Sequence, residues 1–140
     1  MKRTISIAFL AVAGLITAGS VSAQNSGVQA TIPFNFAVGN TVLPSGTYIV
    51  SSQNHEMVLI RNKDHWKVAA LAIAMPGNSQ YAGQGKLVFN KYGNEYFLNE
   101  ILCPTAAIAA DLPTSKREDR AKAREEASLE QPERVLLALK

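Results

Sequence analysis

The chain has 140 residues, of which 47% are hydrophobic, and a formal net charge of +3. Two basic residues, Lys2 and Arg3, lie in a segment that we expect to be removed, so the remaining net charge is about +1 and gives no clustered excess of base for nucleic-acid binding. A single cysteine, Cys103, excludes a disulfide within one chain. We predict that Cys103 is a small buried side chain, with pairing between chains as the alternative.

Residues 1–23 have the features of a cleavable secretory signal peptide. Two basic residues precede an apolar run over 5–16, and small residues at Val21 and Ala23 suit signal peptidase. The run is shorter than the about 20 residues that span a bilayer, although an uncleaved anchor is the alternative. The sequence therefore predicts an exported, periplasmic or extracellular protein that begins near Gln24 and has no transmembrane span in the mature chain.

The remaining residues divide by composition into two parts. Residues 24–113 are rich in Val, Ile, Thr, aromatic residues, Gly and Asn, which favour strands and turns. Residues 114–140 are rich in Ala, Glu, Lys and Arg, which favour helix. We therefore predict one β domain followed by a charged helical tail with an apolar end.

Strands are expected at short intervals through the β domain. Residues 28–36 alternate apolar and polar side chains, and Pro33 within them indicates an edge strand or a bulge because proline donates no ladder hydrogen bond. The further predicted strands cover 47–52, 57–61, 66–74, 86–92 and 95–103. This spacing predicts an all-β fold, a small antiparallel β-sandwich or barrel of about six to seven strands.

The last two predicted strands form a hairpin around Gly93-Asn94. If Tyr92 lies opposite Glu95, Leu87 lies opposite Glu100, and Leu102 shares the face of Leu87. Both faces of the hairpin carry apolar residues, so we expect the second face to be covered as well.

The tail begins with a predicted helix. Ser115 followed by Glu118 fits a capping box, and residues 116 to about 129 favour helix. This helix has almost no apolar stripe, so it is expected to be solvated, marginal or laid on a charged partner.

The end of the tail is a predicted docking segment. Its apolar members are Val135, Leu136, Leu137 and Leu139. We predict that the segment packs on the β domain, as an added strand for example. The alternatives are self-association, contact with an envelope protein, or contact with a membrane surface.

Three clusters carry a family resemblance. They are residues 32–39 with 43–50, residues 86–93 with 96–98, and residues 112–118. In this order behind a signal peptide they resemble a family of small exported proteins of Acidobacteria. The resemblance spans nearly all of the mature chain and implies the same segmentation. That family has no assigned activity, and its members often carry a tryptophan where this chain has Leu102-Cys103, so the resemblance implies no site residues.

The sequence contains no recognisable catalytic or metal-binding motif. His55 and His65 lie in or beside predicted turns, without Cys-x-x-Cys or His-x-x-x-His spacing. No Gly-x-Ser-x-Gly motif occurs, and most acidic residues of the β domain fall in turns or at strand ends. We therefore predict no catalytic residues, no metal and no cofactor.

Trp66, Tyr81 and Arg61 are the candidate ligand-binding residues. If 63–64 is a tight turn, Arg61 lies opposite Trp66 and stacks on it, and Tyr81 extends an aromatic platform for a glycan. The alternative is that Trp66 is an ordinary core or cross-strand aromatic. The leading hypothesis for function is an exported non-catalytic β domain with a binding or envelope-associated structural role. A small-ligand or glycan-binding module is the second hypothesis, and a hydrolase the third.

Overall fold

A computed structural model describes residues 27–139, so the predicted signal peptide and its cleavage site lie outside the described residues. The strands are β1 Val28–Ile32, β2 Phe36–Val38, β3 Thr41–Leu43, β4 Gly46–Asn54, β5 Met57–Asn62, β6 Ala69–Ile73, β7 Met75–Pro76, β8 Lys86–Tyr92, β9 Glu95–Cys103, β10 Ile108–Asp111 and β11 Glu133–Ala138. One α-helix, α1 Lys116–Ser128, and a 3-10 turn, Pro104–Ala106, complete the described elements.

The strands form two sheets. A four-stranded sheet has the order β1-β4-β5-β6, and a larger sheet has the order β11-β8-β9-β10-β7, with β2 joining β9 and β3. The strands curl into a half-barrel, which confirms the predicted all-β sandwich or barrel. Eleven strands are described rather than six to seven, because several are only two to four residues long and β11 belongs to the tail.

The first predicted strand, over 28–36, is divided between the two sheets. β1 is an edge strand on β4, as Pro33 suggested, and it ends at Ile32. The chain then crosses over, and β2 begins at Phe36 beside β9. A proline interrupts the ladder, so it suits the point where the chain changes sheets.

The core is aromatic where this crossover occurs. The ring of Phe34 stacks on Tyr96 with 3.9 Å between centroids. Phe36 meets Tyr48 edge to face at 5.1 Å. Phe36 and Tyr48 are fully buried, so these contacts join the two sheets through one hydrophobic core.

The β8–β9 hairpin has the predicted bounds and turn, but its register changes halfway along. Leu87 pairs with Ile101, one residue beyond the predicted partner, because a bulge interrupts the ladder. The carbonyl of Asn99 near the bulge accepts a hydrogen bond from the backbone N–H of Leu112 at 2.8 Å. The prediction that Leu102 shares a face with Leu87 was therefore wrong, since the bulge places Ile101 on that face instead.

The loop before β6 is longer than predicted. β6 begins at Ala69 rather than at Trp66, and Arg61 pairs with Ala69. The predicted pairing of Arg61 with Trp66 was wrong because the chain does not form a two-residue turn at 63–64. Instead, Oδ1 of buried Asn62 accepts hydrogen bonds from two backbone N–H groups of the loop, each at 2.9 Å, and supports a wider turn.

Helix α1 lies on the outer face of the β8–β9 hairpin. Ser115 caps it as predicted, since Oγ accepts from the backbone N–H of Glu118 at 3.2 Å. In a full capping box the Glu118 carboxylate would accept from the backbone N–H of Ser115. Here it accepts from Nδ2 of Asn90 at 2.9 Å instead. Ala121 packs in a small apolar cluster with Phe97 of the hairpin, so the helix covers the second apolar face.

The apolar end of the chain adds a strand to the larger sheet, as predicted. β11 pairs antiparallel with β8, and Val135 and Leu137 pack against the core. Leu136 points away and is 59% exposed. At the start of β11, a 2.9 Å ion pair with the Glu133 carboxylate raises the pKa of the Lys91 ammonium.

Candidate binding face

The three predicted ligand-binding residues lie in two places. Trp66 is 69% exposed in the loop that joins β5 to β6, and Arg61 is exposed near the end of β5 that leads into this loop. Tyr81 lies in the long loop before β8 and lines a cleft that includes neither Trp66 nor Arg61. The structure therefore does not form one aromatic platform from these residues.

The cleft beside Tyr81 is small, with a volume of about 250 Å³. The Tyr81 hydroxyl donates to the carbonyl of Gln84 at 2.7 Å, and Nζ of Lys86 lies 4.8 Å from the ring centroid. Cys103 also lines this cleft and is buried, as predicted, with Sγ 3.2 Å from Oγ1 of Thr105. The polar atoms of Tyr81 and Cys103 thus both contact neighbouring residues of the same chain.

The outer face of the four-stranded sheet carries exposed apolar side chains on β6. In β6 the small residues Ala70 and Ala72 point into the core, whereas Leu71 and Ile73 point outward and are 55% and 66% exposed. This follows from strand geometry, because successive side chains alternate between the two faces.

Cross-strand pairing extends this surface over neighbouring strands. Leu59 lies opposite Leu71, and Met57 lies opposite Ile73. We define the apolar face by its members: Ile49, Met57, Leu59, Leu71 and Ile73. Ile49, Leu71 and Ile73 are exposed, and Met57 and Leu59 are half-buried.

A basic loop borders one end of the apolar face. Arg61 lies at this end, and Nζ of Lys63 reaches Oε1 of Gln29 on β1 at 3.2 Å. Nζ of Lys67 lies 5.7 Å from the Trp66 ring centroid. Asp64 is the only acidic residue between 61 and 67, so this rim is positively charged at neutral pH.

The sequence did not predict two buried carboxylates under helix α1. Glu118 and Glu125 are 4% and 8% exposed, and they flank Ala121 on the side of the helix that meets the hairpin. Their spacing by seven residues, with Ala121 between them, places all three on one helical face. The spacing of these three residues was the only feature of the sequence that could have indicated a buried face. A helix face made mostly of glutamate is normally expected to be solvent-exposed, because the surface that covers it is not known from the sequence.

The predicted turn histidines, His55 and His65, are both exposed. Within residues 27–139, no three His, Cys, Asp or Glu side chains gather in a way that could hold a metal ion. Over the same part of the chain, no helix is both long and apolar enough to cross a membrane.

Comparison with known proteins gives no relative from which a function could be inferred, so the proposed function is based on the fold and its surfaces. No protein-family profile, no curated protein and no solved structure matches the chain.

Proposed function

We propose that this protein is an exported, non-catalytic β domain that attaches to an anionic lipid surface of the cell envelope. The observation that carries the proposal is the apolar face next to a basic, tryptophan-bearing loop. Leu71 and Ile73 supply apolar area, Lys63 and Lys67 supply positive charge, and Trp66 lies at the same end of the sheet. Tryptophan is the side chain most typical of the membrane–water interface, together with tyrosine.

The magnitudes suit reversible attachment. Full burial of one Leu or Ile side chain is worth about 1.5–3 kcal/mol, so partial burial of several contributes a few kcal/mol. Each Lys or Arg close to an anionic bilayer adds about 1 kcal/mol. Neither contribution alone holds a protein at a membrane, whereas the two acting together do.

Charge favours a lipid surface over a second copy of this chain. A second copy would present the same basic rim around the same apolar face. Anionic headgroups supply the opposite charge to Arg61, Lys63 and Lys67, and acyl chains receive the apolar side chains between them. Self-association through this face is therefore an outcome that counts against the proposal.

Vesicle binding tests the proposal directly. We expect the purified protein to sediment with phosphatidylglycerol vesicles and much less with phosphatidylcholine vesicles. The double variant Leu71→Ser and Ile73→Ser should lower this affinity on the order of 10-fold or more, because two inserted side chains are lost. The matched control is Leu136→Ser, which replaces an equally exposed leucine on the other sheet and should leave binding unchanged.

The fluorescence of Trp66 gives a second readout of the same experiment. Trp66 is the only tryptophan, so an emission shift to shorter wavelength on vesicle addition reports its own environment. Equal loss of binding in the Leu136→Ser control, no preference for anionic vesicles, or dimerisation abolished by the double variant would each contradict lipid attachment through the apolar face.

A further inference from the structure

A second surface, independent of the apolar face, lies where helix α1 passes over the β8–β9 turn. This cleft has a volume of about 450 Å³. The side chains that line it include Tyr92, Glu95, Ala121, Arg124, Glu125 and Glu130. Its walls thus combine an aromatic ring, a small apolar side chain, three carboxylates and the guanidinium of Arg124.

Glu125 is the unusual member of this cleft. It is 8% exposed, and its Oε2 atom is buried without a hydrogen-bond partner among residues 27–139. Buried carboxylate oxygens are normally paired, because removing an unpaired charge from water is costly. The other buried glutamate of the helix, Glu118, follows this rule through its bond to Asn90.

The neighbouring charges do not satisfy Glu125. Both nearby arginines are held by one carboxylate, since Arg117 and Arg124 each form an ion pair with Glu95. Glu130 adds a further negative charge at the exposed edge. None of these charged groups, nor Lys91, whose pKa Glu125 helps to raise, provides a hydrogen bond to Oε2 of Glu125.

The phenol of Tyr92 responds to the same surroundings. Burial raises its pKa, and the nearby carboxylates of Glu118 and Glu125 raise it further. Tyr92 therefore stays neutral at physiological pH, and its ring offers a face that attracts cations.

We propose that this cleft binds the primary ammonium group of a small organic cation. A rotation of the Glu125 carboxylate, which lines the cleft, brings the buried Oε2 to the ammonium and lets it accept a hydrogen bond. The aliphatic part of the ligand lies against Tyr92 and Ala121. A charge-assisted hydrogen bond of this kind supplies the partner that the buried carboxylate lacks. The apolar wall favours an organic cation over a metal ion, which prefers several oxygen ligands.

Titration with 1,4-diaminobutane tests the site, with 1,4-butanediol as the neutral ligand of the same length. We expect calorimetry to show saturable binding of the diamine and none of the diol. Glu125→Gln, which keeps the shape of the side chain, should weaken binding at least 10-fold. Glu126→Gln is the matched control, because this neighbouring glutamate is exposed and lies across from Lys122 instead.

Amide chemical shifts of the unaltered protein provide a test that does not depend on a variant. The diamine should perturb Gly93 and Ser128 and leave the apolar face unchanged. Equal diamine binding to Glu125→Gln, perturbations centred on exposed carboxylates such as Glu126, or displacement of the diamine by millimolar calcium would overturn the ammonium site. Vesicle binding involves another surface, so its outcome does not decide this one.

Discussion

Asn62 is a buried polar residue whose side chain shapes the loop that carries Trp66. Its Oδ1 accepts from the backbone N–H groups of Asp64 and His65, and the residue is 5% exposed. The turn residues Asn-Lys-Asp were visible in the sequence. The role of the Asn62 side chain was not predictable, because an asparagine at the end of a strand can equally well be exposed to solvent.

Replacing Asn62 with Ala should destabilise the fold. Two partly buried backbone donors lose their acceptor, and an unpaired donor of this kind costs about 1 kcal/mol or more in free energy of unfolding. Urea denaturation measures this loss. Asn54→Ala is the control, since Asn54 makes one comparable bond to the N–H of Glu56 in an exposed turn. Similar losses for both variants would show that burial of Asn62 is not the cause.

Strand β11 shows how an apolar segment with no obvious partner is buried. Its outward residue, Leu136, is 59% exposed, whereas Leu139 just beyond the strand is 6% exposed. The N–H of Leu139 donates to the carbonyl of Gly85 at 2.8 Å. An added Cβ at Gly85 would lie 3.3 Å from both Leu139 and Cys103, so this position favours glycine for close packing.

Truncating the two leucines should therefore have unequal effects. Leu139→Ala removes buried area and leaves a cavity, which lowers the free energy of unfolding by about 2–4 kcal/mol. Leu136→Ala should change it by less than about 0.5 kcal/mol, as is usual for exposed sites. Thermal or urea unfolding distinguishes the two, and a larger effect at Leu136 would mean that the segment is buried by a partner chain instead.

Helix α1 packs on the larger sheet through polar as well as apolar contacts. Its start was predictable from Ser115, because a capping side chain acts on its own backbone within three residues. Its docking was not predictable, because Glu118 is paired by Asn90, which is distant in sequence. The helix ends at Ser128, and the next residue, Leu129, is left-handed with φ of 61° although a glycine is usual at such a position.

At the scale of the whole molecule, export is the expectation on which the envelope role depends. Expression in a secreting bacterial host should yield a mature chain beginning at Gln24, which intact mass measurement detects. Ala23→Lys should block cleavage, because signal peptidase requires a small residue there, and Ala23→Ser should preserve it. Accumulation of the unaltered full-length chain in the cytoplasm would contradict export.

The pattern of strands was largely predictable, and the sheets they form were not. The bounds of β8 and β9 and the position of their turn follow from local alternation and Gly93-Asn94. The bulge near Asn99 does not, and the carbonyl of Asn99 accepts there from the N–H of Leu112, a residue outside the hairpin. One inserted residue in a ladder exchanges the faces of all that follow, which is why Leu102 was misplaced.

Local chemistry in the sequence determined the all-β class, the hairpin, the helix start, and the apolar character of the C-terminal end. These features depend on side-chain period, turn residues and capping, which act over a few neighbours. Tertiary structure alone decided that Leu71 and Ile73 face outward beside a basic loop and that Glu125 is buried without a partner. Exposure and pairing depend on what packs from distant parts of the chain, so no local pattern specifies them.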